Sequence, residues 1–177
     1  VLFRSTVRIE TPDGETAIAP TTLTVQGSGS GSSASVAHVA LAVKSPLAST
    51  LTADGSSVTA LEATVTDAGN APVSGALVTL TIPSHGGTLD ATSPSTATSD
   101  AAGKAVFWIH SSQFAGSYTF TATANSLNAT AVLSFVHGPI SPSNSTLTLT
   151  SSSIASGATL TATLLARDAY NNLISDL

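Results

Sequence analysis

Seven aspartates, four histidines and many serines are the groups in this chain that could do chemistry. Aspartate and histidine close together could hold a divalent metal, and serine beside histidine could transfer acyl groups. The spacing supplies neither arrangement. His38, His85, His110 and His137 are scattered, without metal-ligand intervals. Calcium needs six to eight oxygens, and no D-x-D-x-D-G cluster provides them. Asp54, Asp90 and Asp100 are the aspartates that a domain end could gather into such a site. Asp67 and Asn70, with Asp168 and Asn171, are the most repeated polar positions. Metal ligation is one reading of them; turn chemistry is the stronger, because Asp and Asn side chains bond their own backbone and tolerate left-handed conformations. No order of Ser, His and Asp pairs a nucleophile with a base, so the chain reads as non-catalytic and no cofactor is expected. "GSGSGSS" (27–33) is no phosphate loop, since no Lys follows it. Nor is it a nucleophile elbow, since Gly29 stands where serine is needed.

The elements that must position these groups are strands. Charged residues make up only 8% of the chain, apolar residues 42%, and Thr, Val and Ala fill the segments between turns. Thr and Val are stiff at χ1 and fit a pleated surface. "HVALAVK" (38–44), "VTALEATVT" (58–66), "ALVTLTI" (76–82), "KAVFWIH" (104–110), "GSYTFTATA" (116–124) and "NATAVLSFV" (128–136) alternate or are β-rich. Gly-, Pro-, Asn- and Asp-rich turns punctuate them. Seven or so short strands with turns every eight to twelve residues predict a β-sandwich, in an all-β chain. The alternation turns Leu61, Ala63 and Val65 to one face. It sends Ala105, Phe107 and Ile109 inward, and Val106, Trp108 and His110 outward. These last three are the candidate partner contact. An exposed Trp could stack on a sugar or anchor a neighbouring domain; the plainer reading is a half-buried Trp sealing an edge or joint. Tyr118, two residues before Phe120, fits a tyrosine corner. "NAT" (128–130) and "NST" (144–146) match the glycosylation acceptor pattern, which matters only in a host with that machinery.

The chain also repeats itself. Asp168 lies 101 residues after Asp67, and in that register Asn171 falls on Asn70, Ile174 on Val73 and Ser175 on Ser74. Leu61 and Ala63 are matched by Ala162 and Leu164, large and small exchanged with the inward face kept. A recurrence near one hundred residues is one sandwich per repeat. The expected organisation is therefore a remnant of a preceding β domain (1–26), a Gly/Ser linker acting as a hinge (27–35), a complete sandwich (36–138) and the truncated start of a second (139–177). Methionine is absent, and "VLFRS" (1–5) reads as a translated sequencing adapter, so the chain is expected to be a piece of a longer gene. The formal charge of −5 comes with five Lys plus Arg, which offers nucleic acid no basic patch. No apolar run is long enough for a membrane helix. No cysteine is present, so disulfides do not contribute.

"LTADGSSVTALEATVTDAGNAPVSGALVTLTI", "TSDAAGKAVF" and "AGSYTFTATA" resemble the bacterial immunoglobulin-like repeats of intimin and invasin type. The matching positions are Asp54 and Gly55; Val65, Asp67, Asn70, Pro72, Val73 and Gly75; Thr98, Asp100, Gly103 and Ala105; and Gly116, Tyr118 and Ala122. The resemblance implies a non-catalytic stalk on a bacterial surface adhesin, anchored in the outer membrane or the wall and holding an adhesive tip away from the cell. It implies neighbouring repeats of the same chain as partners, with any host receptor or glycan met through other domains. An alternative is an accessory module of a secreted carbohydrate-active enzyme or phage tail protein, with Trp108 touching glycan. A third is a calcium-rigidified domain.

Overall fold

The computed structural model describes residues 35–175, all in strands, turns and loops. The expected remnant 1–26 and most of the linker lie outside the described residues. Nine strands build a two-layer sandwich: β1 His38–Val43, β2 Thr50–Thr52, β3 Val58–Thr66, β4 Leu77–Thr81, β5 Thr88–Leu89, β6 Thr96–Thr98, β7 Lys104–His110, β8 Gly116–Ala124 and β9 Leu127–Val136. One sheet has the order β1-β3-β7-β5 and the other β2-β9-β8-β4-β6. The six strands expected from alternation are present. The three additions, β2, β5 and β6, are two or three residues long, too short for a period of two to register.

The core follows the predicted parity. Leu61, Ala63, Val65, Phe107, Ile109, Phe120 and Leu133 are completely buried, with Ala105 nearly so. Each large side chain among them contributes about 1.5–3 kcal/mol by leaving water. β8 and β9 form the longest pairing, closed by a two-residue turn at Asn125 and Ser126. Both have positive φ, 48° and 64°, as a type I′ hairpin requires. Between β3 and β4 the chain crosses from one sheet to the other. Buried Ser99 pins that crossing, donating to the Val73 carbonyl at 2.7 Å and accepting from Ala76 N–H at 2.9 Å.

The sandwich has two poles. At one, the Val36 carbonyl accepts from Asn125 at the tip of the β8–β9 hairpin, and the Ala37 N–H bonds Thr66 at the end of β3. β9 then runs ten residues, roughly 33 Å, to Val136 at the other pole. There β2 lies parallel to β9, with Leu51 opposite Phe135. The chain thus enters at one end and leaves at the other. Beyond the exit, β10 Thr146–Leu149 and β11 Ala162–Leu165 form an antiparallel pair with every residue exposed.

Candidate functional site

One turn recurs three times with the same bonds. In the first, Asp67 Oδ1 accepts the N–H groups of Gly69 and Ala71, Asp67 N–H donates to the Ala71 carbonyl, and Asn70 has φ 63°. Asp100 repeats it, accepting from Ala102 and Lys104, with Gly103 at φ 73°. Asp168 does so again, accepting from Tyr170 and Asn172, with Asn171 at φ 67°. The fourth residue must be left-handed, which is why it is Asn or Gly. The flanks also correspond. Thr66 bridges Pro72 as Arg167 bridges Leu173, and Val73 N–H bonds Val65 as Ile174 N–H bonds Ala166. The carboxylates of Asp67 and Asp168 are thus turn-formers in this geometry.

Of the three aspartates considered for calcium, Asp54 and Asp90 share the exit pole, bonded to the adjacent Ser111 and His110, and Asp100 stands away from both. Asp100 belongs to the entry pole, beside Thr64 and Lys104. Asp54, at the exit pole, accepts from Ser56 N–H, Ser57 N–H and the Ser111 hydroxyl on one oxygen and from the Ser57 hydroxyl on the other. Burial raises its pKa, but these four bonds outweigh it and hold the carboxyl far below the usual range. Asp90 accepts from the Thr92 hydroxyl and N–H and from His110 Nε2 at 3.1 Å, which lowers it to about 2. Among the described residues no three His, Cys, Asp or Glu side chains converge as a metal site.

Val106, Trp108 and His110 lie on the outer face of β7, as the alternation predicts. Trp108 is 40% exposed. It stands opposite Ala60, which is completely buried although it too points outward, flanked by Trp108 on one side and Lys44 on the other. The indole therefore covers the sheet at that point while keeping part of its surface in water. Its backbone is held on the edge side, Trp108 N–H donating to Ser93 Oγ and its carbonyl accepting from Asp90 N–H. His110 and Asp90 flank it at the exit pole, and Glu62 with Lys104 (2.7 Å) and Lys44 (3.7 Å) flank it on the other side. The Asp90–His110 pair was not legible in sequence, because β5 is two residues long.

The remaining polar arrangements serve structure. Tyr118 Oη donates to the Phe114 carbonyl, four residues upstream, at 3.0 Å, with Phe120 buried two positions on: the expected tyrosine corner. His85 packs edge-on to Phe114. Of the two acceptor patterns, Asn128 is exposed on β9, whereas Asn144 uses its amide to donate to the Asp168 and Ala169 carbonyls.

At the exit pole the Asp168 turn meets the sandwich. Asp168 is 1% exposed, and its Oδ2 accepts from Gly138 N–H at 2.9 Å and from Asn172 Nδ2 at 2.8 Å. Burial raises its pKa, but the bonds from Asn172, Gly138 and Tyr170 outweigh that and keep it ionised. Asn172 Oδ1 accepts from Ala115 N–H at 2.8 Å, and its Nδ2 donates to the Gln113 carbonyl at 2.9 Å. Sequence reasoning singled out Asp168 and Asn171 but missed Asn172, which differs from its counterpart Ala71 and so carried no repeat signal.

Two packed sheets, a tyrosine corner and the parallel β2–β9 pair define an immunoglobulin-like sandwich. The profile of the bacterial Ig-like domain (group 1) matches residues 45–136, and the chain belongs to that family. Among solved structures it is similar to invasin, a bacterial integrin-binding protein, at 18% identity and a TM-score of 0.61, covering 78% of this chain. It is also similar to InvD of Yersinia pseudotuberculosis at 22% identity and a TM-score of 0.58, covering 76%. The chain spans 28% and 38% of the lengths of those two proteins. No protein of curated function matches it by sequence.

Proposed function

We propose that the chain is a non-catalytic stalk segment of a bacterial surface adhesin, extracellular and carried by a parent anchored in the outer membrane or wall. The observation that carries this reading is the end-to-end path of the chain, in at the Asn125 pole and out beyond Val136. A domain so threaded adds its whole length to a string, roughly 33 Å per unit. Family membership and the likeness to invasin support it, as does the turn repeated at Asp67 and Asp168. On this reading 36–138 is one repeat and 139–177 opens the next. Its partners are the neighbouring repeats, and any receptor or glycan is met elsewhere in the parent.

The test is a spacer exchange in the parent protein. Deleting residues 36–138 should weaken adhesion by shortening reach, and an unrelated rigid domain of equal length should restore it. Failure of the exchange with normal surface display would mean that the sandwich itself binds.

A second reading has its own observation, the half-exposed Trp108 with exposed Val58 beside it. If this face holds glycan, the sandwich should be retained on immobilised polysaccharide and Trp108→Ala should release it. Equal behaviour of the two proteins would remove the reading.

A further inference from the structure

The carboxamide of Asn172 makes three bonds at once, and two of them leave its own segment. Nδ2 donates to the Gln113 carbonyl and to Asp168 Oδ2, while Oδ1 accepts from Ala115 N–H. Gln113 and Ala115 belong to the loop between β7 and β8, at the pole where the chain leaves the sandwich. The same Asp168 oxygen takes the N–H of Gly138, in the connection between sandwich and turn. Covalent connection and non-covalent contact are thereby tied to one carboxylate.

We propose that Asn172 is an inter-repeat latch, fixing the angle between a sandwich and the segment that follows it by clasping the backbone of the β7–β8 loop. Three features make it suited to that task. An amide offers both donors and an acceptor on one rigid plane, so it can satisfy a carbonyl and an N–H two residues apart. The groups it clasps in the loop are main-chain atoms, so the receiving loop needs a shape and not a sequence; Gln113, Phe114 and Ala115 could be replaced without losing the site, provided that position 115 keeps its N–H. The turn that carries it stands at the entry pole of its unit, as the Asp67 turn does in the sandwich, so it faces what comes before. Ala71 occupies the corresponding place in the Asp67 turn, and a methyl group can make none of these bonds. The residue four positions after the turn aspartate would then set whether a joint is latched. This follows from the joint's geometry and stands whether or not the chain is a stalk.

The chain has no cysteine, so two can be introduced, Thr130→Cys on β9 and Thr163→Cys on β11, and spin-labelled without background. Pulsed electron resonance then reads the distance distribution across the joint in the full chain. Asn172→Ala should raise the undocked, broadly distributed population roughly tenfold, the ordinary worth of lost hydrogen bonds. Ala115→Pro, which deletes the N–H from the opposite side, should do the same, whereas Ala71→Asn should leave the distribution as it was. Exchange of Ile174 N–H, bonded to Ala166 inside the turn, reports whether the turn survives. Broadening in both variants, with Ile174 still protected in at least one of them, supports the latch. A parental width in either, or broadening only with Ile174 unprotected in both, overturns it.

Discussion

Tyr118 and Phe107 lie in the same sandwich yet hold it by different means. The Tyr118 hydroxyl makes one bond, to the Phe114 carbonyl in an exposed loop. Tyr118→Phe should therefore cost only about 1 kcal/mol in chemical denaturation. Phe107 is completely buried among both sheets, and Phe107→Ala should cost about 3–5 kcal/mol by the same measurement. Asp54 adds a pH dependence. Its folded pKa lies below the ordinary 3.8, so its contribution is fully present above that value and is lost as pH falls through and below it. Thermal melts across that range should show the sandwich losing stability in acid. Asp54→Asn should start less stable and lose less on acidification; an unchanged slope would mean that the Ser56, Ser57 and Ser111 bonds contribute nothing.

Turns and strands differ in how much of them the sequence discloses. The inward faces of β3 and β7 were legible from alternation alone, because one side of each strand meets the other sheet and the other meets water. The Asp67 turn was legible because it is local, closed by one side chain on its own backbone. What stayed hidden was set by distant partners: the two-residue β5 that brings Asp90 to His110, and Asn172 against a loop 59 positions away. Glycine substitutions separate local from distant causes. Gly75 and Gly103 have nearly equal φ, 76° and 73°, but a Cβ at Gly75 meets nothing whereas one at Gly103 would come 2.5 Å from the Val65 carbonyl oxygen. Gly75→Ala should cost about 1–2 kcal/mol, the backbone penalty alone. Gly103→Ala should cost clearly more, and equal melting of the two variants would deny the close approach. The β10–β11 pair makes a further point. Leu147 and Leu164, opposed as Leu41 and Ala63 are in the sandwich, are more than half exposed. Two strands are too few to stand alone in water. Residues 139–177 by themselves should give no cooperative melt, and a sharp one would contradict this.

The whole molecule is organised along its chain path. Entry at the Asn125 pole and exit past Val136 put the sandwich in line with whatever pulls on it. The exit strand β9 is bonded in parallel to β2, so tension at the exit loads those bonds in shear, together, where a hairpin would peel one bond at a time. A mechanical link is the central claim, and pulling tests it most directly. With the full chain held by its two ends, single-molecule extension should show one cooperative rupture for residues 36–138. The expected contour gain is roughly 300–340 Å, the extended length of that segment less the folded span. Gradual lengthening without a rupture, or several small releases, would contradict the account, because the sandwich would then not bear load as a unit.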